Sequence, residues 1–241
     1  MSLLSKYDNC NFDSVPGRPI KLDLRKVEKV YRQCQKEKLK LDIPTGSFII
    51  KELAKACRAK ITNSVKWRRF LDEIYQEMKS LNLAPSLISL NCMIDMYGTC
   101  HEYNAMFTLF NELKGKGAVD TVTFNCVIKH SRSFEEMMEN YDLMKEMNIP
   151  PCLKTFKTLV YGLTRNSVIN NNTAILSHVN TILADILLHP RIDSDTVTSL
   201  LLKRLSKFDT PDVIRAVECV KQCRAGDPEN WLSAGSLLVL L

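Results

Sequence analysis

Four times in 241 residues the chain repeats one phrase: an aromatic residue, then Cys, Met or Leu three positions on, then a basic or amide residue, then a break. It occurs as YRQCQKEKLKLD from Tyr31, YQEMKSLNLAPS from Tyr75, FNELKGKGAVD from Phe110 and YDLMKEMNIPPC from Tyr141. A unit this short cannot close a core alone and buries its apolar face only against its neighbours. The phrase therefore makes the chain an array, and the bland role of Tyr75, Met78, Phe110, Leu113, Tyr141 and Met144 is to pack that array together.

The breaks share a register. Pro44, Pro85, Val119, Pro151 and Pro190 occupy corresponding slots, 41, 34, 32 and 39 residues apart. Proline lacks an N–H and biases its predecessor away from the helical region, so each slot is expected to stop the preceding helix. A second phrase follows each slot: TGSFIIKEL from Thr45, SLNCMIDMY from Ser89, TFNCVIKHS from Thr123, TFKTLVYGL from Thr155 and, more loosely, TVTSLLLKR from Thr196. Its opening Ser or Thr is expected to cap the helix, and apolar residues at helical spacing follow. The unit is helix, turn, helix, stop, and the fold class is all-α.

Along the chain this divides residues 1–20 as a loose arm and 21–42 as a basic helix, about Leu22 to Lys40, completing a partial repeat. Repeats then run 43–86, 87–120, 121–152 and 153–193, and 194–241 holds a last degenerate repeat with a C-terminal cap. The extra length of 43–86 is expected between its two helices, around residues 59–64. Asn166 to Asn172 is a polar insertion, and Thr210-Pro211-Asp212 opens a helix with a capping Thr followed by proline.

Charge is uneven. Residues 21–70 hold fifteen Lys and Arg against five Asp and Glu, whereas 71–241 hold sixteen against twenty. A basic end raises the odds of a polyanion partner, although a solvated pair of helices accounts for it as well. Nine cysteines, at 10, 34, 57, 92, 100, 126, 152, 219 and 223, lack paired spacing, and several take repeat positions that other copies fill with Met, Thr or Leu. They read as small buried hydrophobes in a reducing compartment. Cys219 and Cys223 share a helical face without zinc-ligand companions. No cofactor is called for. No apolar run is long enough for a membrane span, and the tail 236–241 is read either as a cap on the last apolar face or as the point where a longer protein is cut. The N-terminal segment carries Asp8 and Asp13 and does not read as an import presequence.

The second phrase, Ile88-Ser89-Leu90-Asn91-Cys92-Met93-Ile94-Asp95 and Val122-Thr123-Phe124-Asn125-Cys126-Val127-Ile128, resembles the opening of a pentatricopeptide repeat, V-T-Y-N-T-L-I-D. Phe110 to Gly117 resembles its closing F-x-x-M-x-x-x-G. The likeness is good over 87–165, fair over 43–86 and weak beyond 190, and its uneven unit lengths look more like divergent fungal or protist members than regular plant arrays. The resemblance implies a right-handed α-solenoid of about five stacked antiparallel helix pairs whose first helices bind single-stranded RNA. In that family the fifth and last residues of a repeat read one base edge, and residues near the second position sandwich the base. By register the fifth positions are Ser47, Asn91, Asn125, Lys157 and Thr198. The last positions are Ser86, Asp120, Cys152 and Asp193.

Of these, Asn91 with Asp120 fits the family pattern and implies a pyrimidine, uracil first. Asn125 with Cys152 keeps one reader, since a thiol is a weak partner. Lys157 with Asp193 suits a phosphate better than a base edge. The bland counterpart is local: an Asn near a helix start also caps or bonds to backbone, and Lys157 also serves as a plain surface lysine.

Two readings of function follow. An RNA-binding module of mitochondrial RNA processing, stability or translation expects Asn91, Asn125 and Lys157 exposed along a basic first-helix face. A protein scaffold, such as a peripheral subunit of a mitochondrial ribosome, is favoured by the acidic balance after residue 70 and by Phe134-Glu135-Glu136-Met137-Met138-Glu139, which RNA would avoid on that face. The mitochondrial location itself is implied by the family alone. Enzymatic chemistry is not expected: a zinc deaminase needs His-x-Glu with Pro-Cys-x-x-Cys, whereas His101 sits in Cys100-His101-Glu102 without the cysteine pair, and His130, His178 and His189 have no partner in the sequence.

Overall fold

The computed structural model describes residues 23–58, 64–164, 175–189 and 191–207, with a few helical positions between 213 and 221. The arm 1–20, residues 59–63, the insertion 166–172, Pro190, the Thr210-Pro211-Asp212 helix start, Cys219, Cys223 and the tail lie outside the described residues. Ten helices occur among the described residues. They are α1 Leu24–Lys36, α2 Ile43–Arg58, α3 Ser64–Ser80, α4 Leu87–Thr99, α5 Tyr103–Gly115, α6 Thr121–His130, α7 Phe134–Glu146, α8 Leu153–Leu163, α9 Ile175–Leu187 and α10 Ser194–Leu205. The chain divides into two compact units, Met1–Val119 and Asp120–Leu241.

Within each unit the helices pack in two registers. In the first, α2 packs on α3 and α4, and α4 on α5. Helix α1 lies against α3: the Tyr31 ring meets Phe70 edge-on at 5.2 Å, and Tyr31 and Arg32 bond to Glu77 and Glu73. In the second unit α6 packs on α7 and α8, and α8 on α9 and α10. First helices thus stack on first helices. Second helices are tied to second helices by ion pairs, Lys79 to Glu112 at 2.9 Å in one unit and Lys145 to Asp185 at 3.2 Å in the other.

The repeated phrase now has a physical account. Its aromatic residues, Tyr31, Tyr75, Phe110 and Tyr141, and the residues three positions on, Cys34, Met78, Leu113 and Met144, are all buried. The fourth position caps the ring: Lys79, Lys114 and Lys145 hold their ammonium groups 5.4, 5.6 and 4.7 Å from the rings of Tyr75, Phe110 and Tyr141. Each such contact is worth about 0.5–1 kcal/mol at a partly exposed site. Gln35, the one amide in the series, instead donates to the Tyr31 hydroxyl at 3.0 Å. Opposite Met78 on α2 stands Gly46, where any Cβ would collide with the methionine sulfur.

The helix stops are not the prolines. Lys38, Asn82, Gly117 and Asn148 take φ of 55, 55, 64 and 55°. The N–H of the next residue then bonds back to the carbonyl of Cys34, Met78, Leu113 or Met144, at 2.8–3.0 Å. This is the left-handed closure that satisfies two orphan carbonyls at a helix end. It ends α1 at Lys36, short of the expected Lys40. Pro85 and Pro151 stand after the stop, and Pro44 lies inside the first turn of α2, where its missing N–H is no loss. The length of the 43–86 repeat also resides largely in its helices: α2 and α3 run 16 and 17 residues, against 13 each for α4 and α5.

Candidate nucleic-acid interface

The start of each first helix is where the sequence places its readers. The opening Ser or Thr of the second phrase is not the cap. It occupies the third helical position, and the cap is the residue three before it, which is the last residue of the preceding repeat. Ser86 Oγ accepts from the N–H of Ser89 at 3.3 Å. Asp120 Oδ1 accepts from the N–H and hydroxyl of Thr123, both at 2.8 Å, and its own N–H donates back to Thr123 Oγ1. Asp193 accepts from the N–H of Thr196 at 3.1 Å and from its hydroxyl. Asp42, absent from the predicted readers, accepts from the N–H of Thr45 at 2.9 Å. Both residues are short and polar and sit three apart, so sequence alone leaves open which one accepts.

Cys152 caps α8 with sulfur. Its N–H donates to Thr155 Oγ1 at 3.0 Å, and the Thr155 hydroxyl stands 3.6 Å from Sγ. Burial pulls this thiol up, but bonds from the hydroxyl and N–H of Thr155, the Asn125 amide and the Lys154 N–H together hold it below the ordinary thiol range. Cys57 is the opposite case: burial, with the Cys100 thiol and Asp72 nearby, pushes it up to about 12.

Two of the predicted pairs are joined by hydrogen bonds, and in a third the charges act on each other. The Ser86 N–H donates to Ser47 Oγ at 3.1 Å, and Ser89 Oγ donates to the Ser47 carbonyl at 2.9 Å. Asn125 Nδ2 donates to Cys152 Sγ at 3.4 Å. The positive charge of Lys157 helps the Thr196 bonds to hold Asp193 below the ordinary carboxylate range. Asn91 belongs to the first unit and Asp120 opens the second.

The expected exposure is corrected. Asn91, Asn125 and Thr198 are 5, 3 and 3% exposed, and Lys157 is half-buried. Stacking first helix on first helix covers the fifth position, as α4 covers Ser47 and α8 covers Asn125. Thr198 also spends its hydroxyl on the Ser194 carbonyl at 2.9 Å. Asn125 Oδ1 is buried without a hydrogen-bond partner, a state that costs about 1–3 kcal/mol.

What does face outward beside the readers is apolar. Ile88 and Val122, at the second position of their repeats, are 67 and 48% exposed, each three residues ahead of Asn91 or Asn125 on the same helix. Their signal in the sequence was phase: Ile88 falls off the buried stripe of Leu90, Met93, Ile94 and Tyr97. The acidic stretch Phe134 to Glu139 lies on α7, the second helix of its pair; its Phe134 and Met137 pack on Gly162 of α8, and Glu135 and Glu139 are exposed. Among the described residues no three or more His, Cys, Asp or Glu converge as metal ligands would, and no helix is long and apolar enough to cross a membrane.

No protein-family model and no curated protein matches the chain. Among solved structures it is similar to the pentatricopeptide repeat protein PPR10 from maize, at 19% identity and a TM-score of 0.59 over 83% of this chain. Two structures of PPR10 in complex with an 18-nt psaJ RNA element, one of them a cysteine-substituted variant, match at 16 and 17% identity and a TM-score of 0.50 over 90% of this chain. The chain spans 28–34% of the length of those structures. The likeness shows the fold: the helix pairs are of the pentatricopeptide-repeat type.

Proposed function

Taking helix pairs of the pentatricopeptide-repeat type as the premise, we propose that this chain binds single-stranded RNA at the starts of its first helices. The observation that carries the reading is the placement of Ile88 and Val122. Each is an exposed β-branched residue at a helix start, where burial against a base would repay its exposure, beside an Asn whose amide offers donors and an acceptor for a base edge. The likeness to PPR10, whose structures include RNA complexes, supports it.

In this reading a base lies against the aliphatic side chain at the second position while the fifth and last residues meet its edge. Asn91 and Asn125 are the strongest readers by register, and since both are buried, with Asn125 Oδ1 closed off from solvent, a base meets them only where the helix starts yield to it. The Ser47–Ser86 hydroxyl pair is weak, and the Lys157 ammonium meets a phosphate. Recognition is short and weakly specific. The chain acts by binding and without chemistry of its own, on mitochondrial transcripts or ribosomal RNA, in processing, stability or translation; this setting rests on the family resemblance.

The test is selection of the purified chain against a randomised single-stranded RNA pool at two salt concentrations, with duplex DNA as control. Enrichment of a short uridine-containing motif that persists at the higher salt is the expected result. Salt-sensitive binding without enrichment reduces the protein to a basic surface. Absence of binding replaces the proposal with the protein-scaffold reading.

A further inference from the structure

The basic excess of residues 21–70 does not lie where the bases would be read. Several of its cations are spent on ion pairs: Arg32 with Glu73, Lys55 with Glu52, Lys66 with Glu28 and Arg68 with Glu102. Apart from Arg69 on α3, those that remain exposed and outside any ion pair among the described residues lie on α1 and the turn after it, namely Arg25, Lys26, Lys29, Lys36, Lys38 and Lys40. Arg25, Lys29 and Lys36 form one stripe of α1, opposite the buried Val27, Tyr31 and Cys34. The acids nearby are engaged: Asp23 caps α1, Glu28 holds Lys66, and Glu37 accepts from Gln33. Helix α1 packs on α3, a second helix, so this stripe is not part of the first-helix face that carries Ser47 and Asn91.

Resting on the RNA-binding reading above, we propose that the exposed basic stripe of α1 with Lys38 and Lys40 binds the sugar-phosphate backbone of RNA flanking the segment read at the first helices, without base preference. The side-chain inventory selects this occupant. Between residues 23 and 42 no large apolar side chain is exposed, whereas protein interfaces draw their energy from buried aromatic and aliphatic anchors. Long, flexible cations without such anchors suit phosphates, whose neutralisation releases condensed counterions.

The experiment compares the wild-type chain with Lys29→Gln/Lys36→Gln/Lys40→Gln, three exposed cations of the stripe and its turn changed to a neutral side chain that keeps helix propensity. Each binds a short single-stranded RNA carrying only the motif enriched from the random pool, and the same motif extended by a poly-cytidine tail, over a salt series. Melting curves confirm that the variant folds. The expected result is a wild-type preference for the tailed RNA that the variant loses, with a salt slope shallower by about two units, at roughly 0.7 per phosphate contact on a single strand, and with the enriched motif unchanged. A second variant with Arg at the same three positions restores affinity and slope. An unchanged slope in the Gln variant overturns the inference while leaving the RNA-binding reading intact. An equal loss on the short motif also overturns it, since the stripe then belongs to the reading site. A wild-type chain that binds no RNA but holds poly-glutamate through these lysines overturns both.

Discussion

Asn125 Nδ2 donates to Cys152 Sγ at 3.4 Å, joining the fifth residue of one repeat to its last residue, which is also the cap of the next first helix. Sulfur is a poor acceptor for both tasks. Cys152→Asp is expected to strengthen the start of α8 by about 1 kcal/mol, raising Tm by about 2–4 °C for a chain of this size. In RNA selection it changes the preferred base at one position of the enriched motif. A calorimetric Tm equal to that of the wild type would mean that the thiol caps as well as a carboxylate.

The two extremes of thiol environment predict an order of alkylation. Cys152 is half-buried and held below the ordinary thiol range, so a larger share is thiolate at neutral pH; Cys57 is buried and pushed to about 12. Iodoacetamide treatment of the native chain, read by peptide mass spectrometry, modifies Cys152 well before Cys57. Cys57 reacts at a comparable rate only in denaturant, and early labelling of Cys57 in the native chain contradicts the packing of α2 described above.

Burial lifts Asp72 above the ordinary carboxylate range, in spite of the Tyr97 hydroxyl that donates to it and the nearby Arg68. A raised carboxylate destabilises the fold when ionised, so its contribution is most favourable below the unfolded pKa and is lost as pH rises through the folded one. Asp72→Asn keeps an acceptor for Tyr97 and removes the charge. It is expected to be more stable than the wild type in urea titrations at pH 7, with the gain shrinking toward zero as pH falls below the carboxylate range. A gain that grows on acidification would refute this assignment.

At Asp120 cap and reader can be separated. Asp120→Ala removes the acceptor for Thr123 and is expected to cost about 1 kcal/mol. Asp120→Asn retains an acceptor oxygen and keeps most of that stability. Both alter base preference if Asp120 meets the RNA, and only the alanine variant lowers Tm. Unaltered selection in the asparagine variant assigns Asp120 to the cap alone.

What could be read in advance depended on how local its cause was. The aromatic residue, its partner three positions on and the cation after it form one helical face, so the repeating phrase exposed the core and the fold type directly. The stops were harder: a proline is conspicuous, whereas the left-handed Lys38, Asn82 and Asn148 look ordinary, and the prolines merely follow them. The burial of Asn91, Asn125 and Thr198 was out of reach for another reason. For Asn125 it depends on how closely one first helix approaches the next within its unit, a tertiary distance expressed in the bond from its Nδ2 to Cys152 Sγ. Ile88 and Val122 were legible as apolar residues off the buried stripe, a departure visible only once the stripe is drawn.

The residue that closes one repeat also starts the helix of the next, as Ser86, Asp120, Cys152 and Asp193 all do. Wherever such a residue also touches RNA, its evolution is rationed. A lineage changes the base it prefers most cheaply through a small vocabulary of short side chains with an acceptor atom, because a long or apolar replacement weakens the start of the following helix by about 1 kcal/mol. Cysteine stands at the margin of that vocabulary. Position 152 is one substitution away from either a firmer word or none.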